Sequence, residues 1–522
     1  MYRSLWITVI FIIRGCASLT ANKSTSDLSP SGQRTNQDIL LQQCHAESEQ
    51  IDTQAYTNVW KRIEAQLSFD IPENKRTTAQ KNWYLKHPEY MKRVTERASP
   101  YLFYIAEELE KNNLPMELAL LPIVESAYDP FAYSHGRASG MWQFIPGTAK
   151  MFGVKSNWWY DGRRDIVAST QAAIGFLSHL NKRFNGNWMY ALAAYNSGEG
   201  NVRKAIRKNK RKGKPLDFWS LDLPKETEAY VPKLLALASI LKENIDDQTM
   251  WVPVDNLPFF DTVSTETQID LSLAASLAEM SMDEFYQINP GYNHWATSPT
   301  GNHMIALPID KIDIFKQNLQ KIPADQRISY KRYTIKSGDS LISIAKKFDT
   351  TVTLLRSHNS IRGNTIRQGK TLLIPVASQA RDQYHKSQQQ RLMATQNTRR
   401  NGHKQVIYVQ AGDSMWEIAK RYKVNVRSLA KWNNMAPTDP LQVGKKLVIW
   451  TKKPELVSLS NNNKKTRKIY YTVRQGDSLA KIASKFKVSL ASLKRWNNSV
   501  GNKKYLKPGD SLKLYIDITE QF

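Results

Sequence analysis

The sequence predicts a multidomain protein, one all-α domain followed by small α+β modules of βααβ plan. Three observations carry this. The chain has 522 residues, more than one ordinary hydrophobic core organises. Across residues 56–250 apolar side chains recur at helical spacing and strand-like alternation is scarce. Beyond residue 331 the texture changes, and one block of sequence returns three times.

Composition narrows the partners. With 74 Lys and Arg against 47 Asp and Glu, the net charge is +27, which fits a polyanion: nucleic acid, an acidic membrane face or a carboxylate-bearing polymer. Two cysteines exclude a disulfide scaffold and a Cys-rich metal site. No HExxH, Walker-type or GxGxxG pattern is present, so neither a metal nor a nucleotide cofactor is expected.

In chain order, Arg3 precedes an apolar run over residues 5–13. The run is too short to span a bilayer but fits the core of a signal peptide, residues 1–16. Ile13-Arg14-Gly15-Cys16 resembles a bacterial lipobox, although Arg14 departs from the small residues usual there. Cys16 would then be the lipidated first residue of the mature chain. Ala17 after it resembles the outer-membrane sorting pattern, which implies an anchor on the periplasmic side of that membrane. An ordinary signal peptide, giving a periplasmic or secreted protein, is the alternative. Cys44 would be an unpaired thiol. Residues 17–55, rich in Ser, Thr, Asn and Gln, read as a tether.

The helical domain, residues 56–250, shows its period at Tyr56, Trp60, Ile63 and Leu67, and again at Leu102, Ile105, Ala106 and Leu109. Its centre is the stretch 118–144, LALLPIVESAYDPFAYSHGRASGMWQF. Pro115 suits a first helical turn, and Leu118, Leu121 and Glu125 then share one stripe. A carboxyl on an apolar stripe is partly desolvated, which raises its pKa toward what a general acid needs. A Glu that merely turns out to water is the plainer alternative. Helical patterns follow over residues 170–184, 188–195 and 227–241.

The three copies span residues 331–376, 405–451 and 469–516. Each opens with Gly-Asp-Ser after a strand-like segment: Gly338-Asp339-Ser340, Gly412-Asp413-Ser414 and Gly476-Asp477-Ser478. The Asp-Ser pair supplies helix-capping chemistry. An Asn follows in each copy (Asn359, Asn433, Asn497), then a closing apolar strand. Residues 377–404 and 452–468 read as flexible basic linkers. Residues 255–310 are expected to form a degenerate copy, with Asp270 as the cap, Asn289 at the Asn position and strands 260–263 and 304–307 paired.

These features carry a resemblance. The three copies resemble LysM domains, modules that bind N-acetylglucosamine-containing glycans. The helical block resembles the soluble lytic transglycosylase domain, with its lysozyme-like fold. The motifs are Glu125-Ser126, Gly140-Met141-Trp142-Gln143, Ala194-Tyr195-Asn196-Ser197-Gly198, and Glu226-Thr227 with Tyr230-Val231, in the family's order. The whole arrangement resembles the membrane-bound lytic murein transglycosylase D family.

The resemblance implies that Glu125 is the catalytic acid and base. It implies that Met141 and Gln143 line the sugar cleft and that Tyr195 and Asn196 face the carboxyl and the substrate. Ser126, Ser134, Gly140, Glu226 and Tyr230 are expected to join them. Glycan contacts in the modules fall to Gly338, Asp339, Gly412, Asp413, Gly476 and Asp477. Plainer roles stand beside these: core for Met141 and Trp142, turns for Gly140 and Gly198, packing for Glu226, and an ion-pair cluster for Asp161, Arg163, Arg164 and Asp165. The implied partners are peptidoglycan strands and, through Cys16, the membrane; the export segment argues against nucleic acid. Two rivals remain. A hydrolase of the same fold would need a second acid across the cleft, for which Asp129, Asp161 and Glu199 are candidates. The other rival is a non-catalytic peptidoglycan-binding protein.

Overall fold

The computed structural model describes residues 56–301, 304–451, 466–486, 488–497 and 506–517. The signal segment, Cys16, the tether 17–55 and most of the linker 452–468 lie outside them.

The helical domain starts from well-capped helices. Asn58 and Asn74 accept the N–H groups of Trp60 and Arg76, each at 2.9 Å, and open helices Val59–Glu64 and Lys75–Leu85. The first of these is pinned to the end of the domain. Val59 donates to the Val254 carbonyl at 2.8 Å, and Trp60 packs edge-on against Trp251. Helix Pro88–Lys111 begins on its proline and buries Met91, Val94, Ala98, Leu102, Ile105 and Leu109 along one stripe. Helices Ile166–Arg183, Trp188–Ser197 and Glu199–Arg211 follow. At the centre lies helix Lys225–Asn244, which buries Tyr230, Val231, Leu234, Leu235, Leu237, Ala238 and Leu241. Its middle, residues 230–241, is buried except at Lys233 and Ser239, so it runs through the interior with its charged residues at the ends and on the cleft. It touches Lys75–Leu85, Trp188–Ser197 and the turn Met116–Leu120, and so brings Tyr230 beneath Glu125.

The helix expected to run on from Pro115 is divided. A 3-10 turn, Met116–Leu120, is followed by the short α-helix Leu121–Ser126. The cause is Pro122, which has no N–H to donate and whose ring obstructs the preceding turn, so the helix must begin afresh there. Ala127 and Tyr128 then adopt left-handed backbone, φ 53° and 57°. Non-glycine residues hold that conformation only under constraint. Here Ala127 and Tyr128 donate to the carbonyls of Ile123 and Pro122, and the Tyr128 hydroxyl donates to Ala119 at 2.6 Å.

Each module is a two-stranded antiparallel sheet enclosing two helices. In the first, Phe260–Ser264 pairs with Met304–Pro308, Val263 opposite Ile305, around helices Leu271–Leu277 and Met282–Ile288. Asp270 caps the first of those helices. A single asparagine braces all four sheets. Asn289, Asn359, Asn433 and Asn497 each accept the N–H of a closing-strand residue and donate to that residue's carbonyl and to the carbonyl four residues back. The first module also takes in helix Ile312–Gln320, which buries Phe315 and Leu319 against it. The expected limit at residue 310 therefore stops short. This module is fused to the helical domain: Asp161 donates to Gly291, Asn293 to Trp159, and Arg164 to Asn293, all at 2.8 Å.

Residues 377–404 are not a bare linker. They form a turn, Arg381–Tyr384, and a helix, Gln388–Asn397, and Tyr384 is 2% exposed. The Tyr384 hydroxyl donates to Asp270 at 2.8 Å, Gln388 donates to Asn293 at 2.7 Å, and Gln396 donates to Asn433 at 3.0 Å. The segment thus runs from the first module to the second repeat through polar contacts. At the far end, strand Thr466–Thr472 begins inside the stretch read as the second linker.

Candidate active site

Glu125 sits in the last turn of helix Leu121–Ser126, just before the left-handed pair that turns the chain away. Its carboxyl faces an open cleft of about 720 Å³. One wall is the loop carrying Ser134 and Gln143. The other is the C-terminal end of helix Trp188–Ser197 with Tyr195 and Asn196, and the floor is Glu226, Tyr230 and Lys233 on the central helix.

Burial dominates the electrostatics. Packing around Glu125 pushes its pKa up to about 7. The Tyr230 hydroxyl, which donates to its Oε1, opposes this; Glu226 adds to the rise and Lys233 counters it. Near neutral pH the group is therefore poised between acid and base. The Tyr195 and Tyr230 phenols are held well above their ordinary values by desolvation and by Glu125, so they stay donors. Tyr195 spends its proton on the Trp142 carbonyl at 2.7 Å and fixes the opposite wall. The Asn196 carbonyl accepts the Thr227 hydroxyl at 2.7 Å, and its amide nitrogen has no partner among the described residues.

Of the expected residues, the fold brings Glu125, Ser134, Gln143, Tyr195, Asn196, Glu226 and Tyr230 to this one cleft. Three others serve it from behind. Met141 is 0% exposed and belongs to the core, as does Trp142, whose indole N–H donates to Thr170 at 3.0 Å. Gly140 is a packing requirement: at φ 84°, a Cβ there would lie 1.8 Å from the Arg163 carbonyl. The Ser126 hydroxyl donates to the Met141 carbonyl at 2.9 Å and ties the acid's helix to the loop. The sequence reading missed Lys233, although Glu226, Tyr230 and Lys233 lie at i, i+4 and i+7 on one helical face.

The alternative second acids are occupied elsewhere. Asp129 accepts the Phe131 N–H at 2.9 Å, Asp161 pairs with Arg163 at 2.7 Å, and Glu199 pairs with Arg183 at 2.8 Å and Arg203 at 2.6 Å. Among the described residues, Glu226 is the other carboxylate on the cleft, and no group of three or more His, Cys, Asp or Glu is placed to hold a metal.

In the repeats, Gly338, Gly412 and Gly476 take φ of 81°, 92° and 84°, the left-handed turn that suits glycine. The aspartates close that turn. Asp339 accepts the Lys336 N–H at 2.8 Å and Asp477 the Arg474 N–H at 2.9 Å, and each also accepts a tyrosine hydroxyl. Asp413 accepts the Gln410 N–H at 2.9 Å and pairs with Arg421 at 2.7 Å. The helix caps are the serines, Ser340, Ser414 and Ser478, rather than the Asp-Ser pair.

A carboxyl with a raised pKa on an open cleft, in a helical domain trailed by βααβ modules, fits a transglycosylase of the SLT class. The family models agree: the Transglycosylase SLT domain matches residues 103–218, the LysM-like domain of lytic transglycosylase MltD matches 259–324, and the LysM domain matches 333–375, 407–450 and 471–514. Over 406 residues the chain is 38% identical to the membrane-bound lytic murein transglycosylase D of Escherichia coli (strain K12), covering 76% of this chain and 86% of that one. It is also 34% identical over 175 residues to an autolysin of Enterococcus faecalis, covering 33% of this chain and 22% of the relative. The lytic transglycosylase Slt of Pseudomonas aeruginosa aligns over 38% of this chain and 35% of its own at 22% identity and a TM-score of 0.25, too slight a likeness to add to the assignment. The chain belongs to the membrane-bound lytic murein transglycosylase D family, and it is a lytic transglycosylase.

Proposed function

We propose that the enzyme cleaves the β-1,4 bond between N-acetylmuramic acid and N-acetylglucosamine in peptidoglycan, leaving 1,6-anhydro ends, with Glu125 as the single acid and base. The observation that carries this is the Glu125 carboxyl, its pKa near 7, on a cleft whose other carboxylate is the exposed Glu226. Protonated Glu125 donates to the bridging oxygen as the bond to C1 breaks and positive charge develops on the sugar. The substrate's acetamido oxygen closes on C1 and holds that charge. Ionised Glu125 then takes the proton of the C6 hydroxyl, O6 attacks C1, and the acetamide is restored. No water enters. Tyr230 orients the acid in both steps, and Ser134, Gln143 and Asn196 offer polar contacts along the strand.

The LysM repeats hold the enzyme on the wall, and a lipid on Cys16 anchors it to the periplasmic face of the outer membrane. Among the described residues no helix is long and apolar enough to cross a membrane. The first module serves as a packing and spacing element, since its Asp270 and Asn293 are engaged by the segment 377–398 and the helical domain. The proposal is tested by mass spectrometry of the muropeptides released from purified sacculi. Anhydro ends are expected; reducing ends would make this a hydrolase instead.

A further inference from the structure

The second LysM repeat lies against the catalytic loop. Asp439, in the turn that follows helix Val426–Trp432, accepts the Tyr133 hydroxyl at 3.0 Å and pairs with Arg137 Nε at 2.8 Å. Both partners flank Ser134 on the cleft wall. The contact is partly dry: the Asp439 side chain is 13% exposed, and burial beside it pushes the Tyr133 phenol up to about 12. A second tether comes from helix Gln388–Asn397, where Arg391 lies 5.0 Å over the Phe131 ring and Gln396 donates to Asn433 inside the repeat. So held, the repeat sends Arg427 to the same cleft that Glu125 faces. The Arg427 guanidinium has no hydrogen-bond or ion-pair partner among the described residues.

We infer that the second repeat completes the catalytic cleft, and that Arg427 is a specificity residue that binds a carboxylate on the peptide substituents of the glycan being cleaved. The inference rests on the murein reading above. A guanidinium presents paired donors that match a carboxylate, and a free one at a cleft rim binds such a group at little cost in reorganisation. Peptide-free strands keep only the lactyl carboxylate held against each muramic ring, so the control substrate must have that group amidated. The same arrangement couples wall recognition to cleavage, because the repeat cannot leave without removing part of the substrate site.

The test uses the full chain. Arg427→Ala, Arg427→Lys and Asp439→Ala are compared with the wild type on peptide-bearing glycan fragments and on peptide-free fragments of equal length whose lactyl carboxyls are amidated. For Arg427→Ala, kcat/KM on the peptide-bearing substrate is expected to fall about tenfold, mainly through KM, with the peptide-free substrate unchanged and Arg427→Lys recovering part of the loss. Asp439→Ala, which removes the repeat's contacts with the catalytic loop and leaves the second tether in place, should show a smaller loss of the same selective kind while thermal unfolding confirms the fold. Equal rates on both substrates in every variant would overturn the inference, and so would faster cleavage of both, which would mean that the repeat covers the cleft. Failure of the murein reading shows separately, as absence of anhydro products from the wild type.

Discussion

The second and third LysM repeats share one plan and differ in use. Each has the left-handed glycine, the serine cap and the asparagine brace. The second is fixed to the catalytic loop through Asp439 and to the preceding helix through Asn433. For the described residues of the third, every hydrogen bond and ring contact is internal. The motif therefore specifies the module, and the segment before it specifies where the module goes. Residues 377–402 supply Tyr384, Arg391 and Gln396 for that purpose, whereas residues 452–465 are Lys- and Asn-rich and hold no tyrosine.

The difference can be broken from its strongest point. Tyr384→Ala removes a fully packed ring and the donor to Asp270, and should cost about 3–5 kcal/mol. Calorimetry should show the loss in the transition of the first module and second repeat, with the third repeat unaffected. Next in size is a chain ended at Thr451. It should cleave short soluble glycans at the full rate and keep the Tm of the remaining domains, while binding to sacculi falls on the order of a hundredfold through lost avidity. Unchanged binding would show that the third repeat has another task. Smaller still, Asn433→Ala and Asn497→Ala each leave a strand N–H and carbonyl unpaired, at about 2 kcal/mol apiece. Only the first should also disturb catalysis, because among the described residues only the second repeat reaches the cleft. Equal kinetic effects from both would contradict the comparison.

Much of this was legible in the sequence because it depends on local chemistry. The repeats declare themselves through a turn that needs glycine, a cap that needs a hydroxyl and a brace that needs an amide. Asp270 and Asn289 marked the degenerate copy although its glycine is missing. Helix Ile312–Gln320 was missed, yet Ile312, Phe315 and Leu319 stand at helical spacing. Helix Gln388–Asn397 gave no such sign, since its one fully buried side chain is Gln396. Apolar periodicity cannot register a helix held by polar contacts and by an arginine over a ring. In the site, the motif identified the acid, but motif neighbours are neighbours in the chain and not in the cleft. Met141 and Gly140 position the wall, while Lys233 comes from one turn beyond Tyr230 on the same helix and Arg427 arrives from a distant one.

The electrostatics of Glu125 have a pH consequence. Its pKa in the fold, about 7, lies above the unfolded value of about 4.3. The native state thus binds the extra proton across that window, and stability falls as pH rises from about 4.3 to about 7. Glu125→Gln should therefore be more stable than the wild type above pH 7, by up to on the order of 3 kcal/mol. The wild type's kcat/KM should decline as pH passes 7 and the acid ionises. Tyr230→Phe, which removes a bond that stabilises the ionised form, should move that limb to higher pH.

The most direct test separates chemistry from attachment. Glu125→Gln is incubated with purified sacculi at pH 6, and released anhydro-muropeptides and bound protein are measured in the same tubes. The account predicts wild-type binding and release reduced to background. Substantial release of anhydro products by that variant would mean that another group is the acid, and would contradict the central claim.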